Sequence, residues 1–122
     1  MRIDFEDKND MCILHLEGRF VSGSDAEFLR TREDLNKAGH RKVLVDCRGV
    51  TYMDSTALNF VVGLYTSMMN GGGRFGLMHL NARVREVLRI THLDEIIPIF
   101  EDEQAAIASL NDPEVKQSAE QT

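Results

Sequence analysis

The chain has 122 residues, 43% of them apolar and 28% charged, and its 20 acidic against 14 basic side chains give a formal charge of −6. That is the size and balance of one globular domain with a sizeable core, and it excludes disordered and collagen-like classes. No apolar run approaches the roughly 18–20 residues of a membrane-spanning helix, the N-terminus lacks a signal-peptide stretch, and no basic stripe suits a phosphate backbone. A cytoplasmic protein with neither nucleic acid nor membrane as partner is expected.

Along the chain, Ile3 and Phe5 alternate with polar residues, Lys8-Asn9-Asp10 punctuates, and Met11 to Leu16 runs apolar up to Glu17-Gly18, predicting an antiparallel strand pair. Ser24 stands three residues before Glu27 in capping-box spacing, and Phe28, Leu29, Leu35 and Ala38 follow to Gly39, predicting a helix over Asp25–Ala38. Val43 to Cys47 is a short, nearly continuous apolar run rich in β-branched residues, the pattern of a central parallel strand covered on both faces. Asp54 is a good helix N-cap, and Ser55 to Asn70 forms a second helix closed by Gly71-Gly72-Gly73. Its core stripe reads as Leu58, Val61, Val62, Tyr65, Met68 and Met69, with Phe60 and Leu64 lying off it.

Arg74 to Leu80 reads as a strand, Asn81 caps a third helix with Val84, Val87 and Leu88 inward, and Ile96 to Phe100 reads as an edge strand that tolerates Pro98. A fourth helix spans about Asp102 to Leu110. From Glu101 onward six acids face one base, Lys116, so this segment carries most of the net charge. The order β β α β α β α β α predicts one α/β domain over residues 1–112: a small mixed sheet with parallel core strands, an antiparallel N-terminal strand and four helices. Residues 113–122 read as an acidic, disordered tail.

Signatures of catalysis are sparse. Gly71-Gly72-Gly73 lacks the lysine and hydroxyl of a phosphate loop and leads into a strand. His15, His40, His79 and His92 share no metal-ligand spacing, and Cys12 and Cys47 read as reduced core residues, so neither metal nor cofactor is expected. Ser55 as an enzymatic nucleophile would need a base, and its neighbour Asp54, with an ordinary pKa of about 3.9, is a feeble one. A binding protein is expected rather than an enzyme.

The segment Val43 to Leu58 holds a buried strand, a loop and an Asp54-Ser55 pair that opens a helix. One reading is capping alone. The other is a phospho-switch, because a phosphate on a first-turn serine meets the positive helix end and leaves the fold intact. The run Asp46-Cys47-Arg48-Gly49-Val50-Thr51-Tyr52-Met53-Asp54-Ser55-Thr56-Ala57-Leu58 resembles the signature of STAS domains, the anti-sigma factor antagonist family. Gly71 to Leu77, Asn81 to Leu88 and Leu93 to Phe100 are similar to the family's later strand, third helix and closing strand.

The resemblance implies that Ser55 accepts phosphate from an anti-sigma factor kinase, with Thr56 as second choice. The unphosphorylated form would bind that kinase and free a sigma factor, and a serine phosphatase would reset the switch. It also implies a partner surface of Asp54, Ser55, Thr56, Ala57, Asn59 and Phe60 with Val21 and Ser22, on a monomer or weak homodimer. Ala57 and Asn59 stand where the family has glycines, and Arg19 and Val21 where it has acidic residues, which bears on which partner is recognised. The alternative is a non-phosphorylated STAS adaptor subunit of a signalling or lipid-transport complex.

Overall fold

The computed structural model describes residues 2–8, 10–21 and 25–112. Five strands, β1 (Arg2–Lys8), β2 (Met11–Phe20), β3 (Lys42–Met53), β4 (Arg74–Met78) and β5 (Ile99–Phe100), form one sheet in the spatial order β1-β2-β3-β4-β5. The first pair is antiparallel and the rest are parallel, so β3 is central, as its apolar run predicts. Four helices complete the domain: α1 (Asp25–Ala38), α2 (Ser55–Asn70), α3 (Ala82–Ile90) and α4 (Glu103–Asn111). Ser22, Ser24 and the 113–122 segment lie outside the described residues.

Strand alternation sorts the core into two layers. Cys12, Leu14, Leu16, Val43, Val45, Phe75 and Leu77 face α1, α2 and α3. On the other face Met11, Ile13, Leu44 and Met78 pack under Ala106 and Leu110 of α4. Burial on both faces explains why β3 reads as a continuous apolar run rather than an alternating one. Both cysteines are free and buried, and burial pushes their thiols up, Cys12 to about 11 and Cys47 to about 12.

β2 and β3 are longer than their apolar runs, because two register shifts, between His15 and Glu17 and between Gly18 and Arg19, let the pair continue to Phe20 and Met53. A Cβ at Gly49 would stand 2.9 Å from the Leu16 carbonyl oxygen, so glycine permits this close approach. β4 stops at Met78, short of Leu80, where His79 adopts φ 60°. β5 shrinks to two residues, although the Pro98 carbonyl still accepts the Leu77 N–H at 2.9 Å.

The phase of α2 differs from the predicted stripe. Its buried residues are Ala57, Phe60, Val61, Leu64, Tyr65 and Met68, spaced i, i+3, i+4, i+7, i+8, i+11, whereas Leu58, Val62 and Met69 are half-buried. Aromatic stacking fixes that rotation. The Phe28 ring lies 4.4 Å from Phe60 and 5.8 Å from Phe20, forming a column from β2 through α1 to α2. On α1, Phe28 and Leu35 are buried but Leu29 and Ala38 are exposed, and on α3 Val87 is only half-buried beside buried Val84 and Leu88.

Candidate functional site

Asp54 joins the end of β3 to the start of α2. Its backbone N–H donates to the Phe20 carbonyl at 3.0 Å, which anchors it to the end of β2. From an extended backbone (φ −101°, ψ −172°) its Oδ1 accepts the Ala57 N–H at 3.1 Å, and its carbonyl accepts the Leu58 N–H at 3.0 Å. Asp54 is therefore the N-cap, and Ser55 is the first helical residue, with its side chain exposed. The capping role falls to the carboxylate rather than to the serine hydroxyl.

Thr56 is half-buried and Asn59 exposed, while Val21, next to the Phe20 that anchors Asp54, is half-buried. Thr56 and Asn59 follow Ser55 in the first turns of α2 and Val21 follows the Phe20 anchor of Asp54, so the rim comprises the head of α2 and the end of β2. Ala57 parts from it, fully buried at 0% exposure, whereas Phe60, 5% exposed, is packed in the core but still lines a cleft beside Thr56 and Asn59. Of the two apolar residues expected at the partner surface, Ala57 is corrected to a core residue, and the phase set by Phe28 leaves only the edge of Phe60 at the cleft. The exposed apolar group here is Leu29 of α1, which is 56% exposed. It borders this cleft of about 230 Å³ between α1 and α2, whose lining includes Phe28, Arg32, Thr56, Asn59 and Phe60. In the sequence, Leu29 is one step along the helix from Phe28, and only the packed orientation of α1 tells the two apart.

On the strand side of the rim, the Arg19 guanidinium lies 4.8 Å from the centre of the Tyr52 ring. These residues pair across β2 and β3, one position before the Phe20–Met53 pair. The ring holds the cation at the sheet's C-terminal edge, close to the Asp54 turn. The first turn of α2 contains no acidic side chain. A negative group placed on Ser55 would meet the positive end of a 16-residue helix beside the Asp54 carboxylate, which already takes the Ala57 N–H.

Comparison with known proteins bears on what such a rim is for. The STAS domain family model matches residues 2–106. The chain belongs to the STAS domain family. Its STAS domain is 41% identical over 69 residues to a Thermotoga neapolitana protein named as an anti-sigma factor antagonist homologue, a stretch covering 57% of this chain. The match spans 60% of that relative's own length. Among solved structures, a Thermotoga maritima protein described as an anti-sigma factor antagonist superposes with a TM-score of 0.84 at 27% identity, over 90% of this chain and 95% of that one. The Bacillus cell fate determinant SpoIIAA in its phosphorylated form shares the STAS fold, with a TM-score of 0.66 at 16% identity over 85% of this chain and 96% of its own. Among the described residues, no helix is long and apolar enough to cross a membrane.

Proposed function

We propose that this STAS domain is an anti-sigma factor antagonist whose unphosphorylated form binds an anti-sigma factor kinase through the Ser55 rim and thereby frees a sigma factor. Phosphorylation of Ser55 ends that complex, and a serine phosphatase restores it. The observation that carries this reading is the division of labour at the head of α2: Asp54 caps the helix, which leaves the exposed Ser55 side chain to change chemistry without unfolding the turn. Support also comes from SpoIIAA, a protein of the same fold that has been solved in a phosphorylated form.

Ala57, where the family has a glycine, is compatible with this reading, because its methyl group is fully buried and stays out of a partner's path. The site works by binding, not by catalysis. Incubating the protein with ATP and the anti-sigma kinases of its own cell, followed by intact mass and peptide mapping, tests the proposal directly. One phosphate on Ser55, absent from Ser55→Ala, is the expected result. Tight binding to a partner complex with no phosphate transfer from any such kinase would favour the constitutive adaptor role instead.

A further inference from the structure

At the opposite end of the parallel strands from Ser55, three side chains of different chemistry converge. Asp7 of β1, Cys12 of β2 and His40, which follows α1, bring a carboxylate oxygen, a sulfur and an imidazole nitrogen within 4.8 Å of one another. We propose that this cluster is a binding site for a zinc-class divalent transition-metal ion, held by Asp7, Cys12 and His40 with water as a fourth ligand. The inference is independent of the Ser55 reading.

The backbone presets the cluster. Asp7 and Cys12 are direct cross-strand partners, so their side chains lie on the same face of the antiparallel pair. His40 is fixed by its N–H bond to the Leu35 carbonyl at 3.3 Å, just after Gly39 turns the chain at φ 71°. Its Nε2 already stands 3.8 Å from Asp7 Oδ1.

The donor set is selective. Sulfur and imidazole together suit zinc-like ions, whereas magnesium and calcium prefer oxygen alone. As the metal–sulfur bond forms, Cys12 gives up its thiol proton, so one thiolate and one carboxylate balance the charge of a divalent ion. The C-terminal end of α1 adds the negative pole of a helix. Nearby cations are engaged elsewhere: Lys8 with Glu103, Lys42 with Asn111 and Asp10, and Arg41 with the Gly71 carbonyl. A cleft of about 510 Å³ is lined by Asp7 and His40, so two of the three donors face solvent with room for a water, while Cys12 lies buried behind them. Bound there, the ion ties the edge strand β1 to β2 and to the α1–β3 connection.

The test uses the full chain, reduced with a non-chelating phosphine. Equilibrium dialysis against Zn²⁺ is expected to give one ion per chain, and Co²⁺ is expected to give a thiolate charge-transfer band with a tetrahedral visible spectrum. Asp7→Asn and His40→Gln change exposed or half-exposed side chains and should each weaken Zn²⁺ binding at least about tenfold. Cys12→Ala should remove the thiolate band, and backbone amides of β1 should exchange more slowly with Zn²⁺ present. Failure of Zn²⁺ to bind, Co²⁺ binding without the thiolate band, or unchanged affinity in both Asp7→Asn and His40→Gln would overturn the proposal.

Discussion

His15 Nδ1 lies 2.8 Å from Asp46 Oδ2, so one imidazole joins β2 to β3. Its Nε2 lies 2.7 Å from Glu6 Oε1 on β1, which extends the chain of contacts over three strands. Asp46 is further held by the Arg48 N–H at 3.0 Å, and the Arg48 guanidinium reaches His79 at 2.8 Å. Polar groups thus lace the sheet face that carries Ile13 and Leu44.

This lacing predicts a pH dependence. Partial burial opposes a charge on His15, but the hydrogen bonds and charges of Glu6 and Asp46 outweigh it and hold the pKa above 6.5. A histidine raised in the folded state stabilises fully below its unfolded pKa, and that contribution fades as pH rises through the folded value. His15 is partly exposed, so the term should stay below about 1 kcal/mol. Melting temperatures of wild type and His15→Gln, taken from pH ~5.5 to ~8, should converge as pH rises. Exposed His92, also raised by Glu95, titrates in both proteins and cancels in the comparison. A gap that widens with pH would contradict the assignment.

The phase of α2 sets a second expectation. Phe60 sits in the aromatic column with Phe28, so Phe60→Ala should cost about 3–5 kcal/mol. Half-buried Val62 has less to lose, and Val62→Ala should cost well under half as much. Urea denaturation of the two variants decides it: equal losses would place Val62 in the core.

That contrast also marks how far the sequence can be read. Capping residues and glycines localise chain ends of elements, which is why α2 begins after Asp54 and ends at its Gly71 cap, and α1 ends before Gly39. The rotation of α2 is harder, because Leu58, Phe60, Val62 and Leu64 put apolar groups around much of the helix. Phe28, 32 positions upstream, selects the buried face. The same holds for contacts set by strand register. Nothing in local spacing joins His15 to Asp46 or Asp7 to His40, whereas Asp54 and Ser55 announce themselves as adjacent residues at a helix start.

Asp54 offers a third measurement. If its carboxylate caps α2, Asp54→Ala should lower stability by about 1 kcal/mol, and Asp54→Asn, which keeps an accepting oxygen, should lose much less. Thermal unfolding compares them. Similar losses in both variants would mean that the carboxylate's charge at the helix end matters more than its capping bond.

The last expectation concerns Ser55 in the partner complex. Phosphate adds a charge of about −1.5 to −2, and at the centre of an interface that charge must be desolvated or face acidic neighbours. A penalty of about 3 kcal/mol corresponds to roughly hundredfold weaker binding. Ser55→Ala should bind the anti-sigma factor kinase constitutively and take up no phosphate. Ser55→Glu carries one charge on a longer stem, so it should bind measurably less well than the alanine form. Thr56→Ala should remain a substrate, because half-buried Thr56 sits one step further into the helix than exposed Ser55. Titration calorimetry of each variant against the kinase, paired with intact mass after ATP, reads both effects. Equal affinities for Ser55→Ala and Ser55→Glu would show that charge at this position does not govern the complex. Phosphate retained on Ser55→Ala but lost from Thr56→Ala would move the acceptor to Thr56.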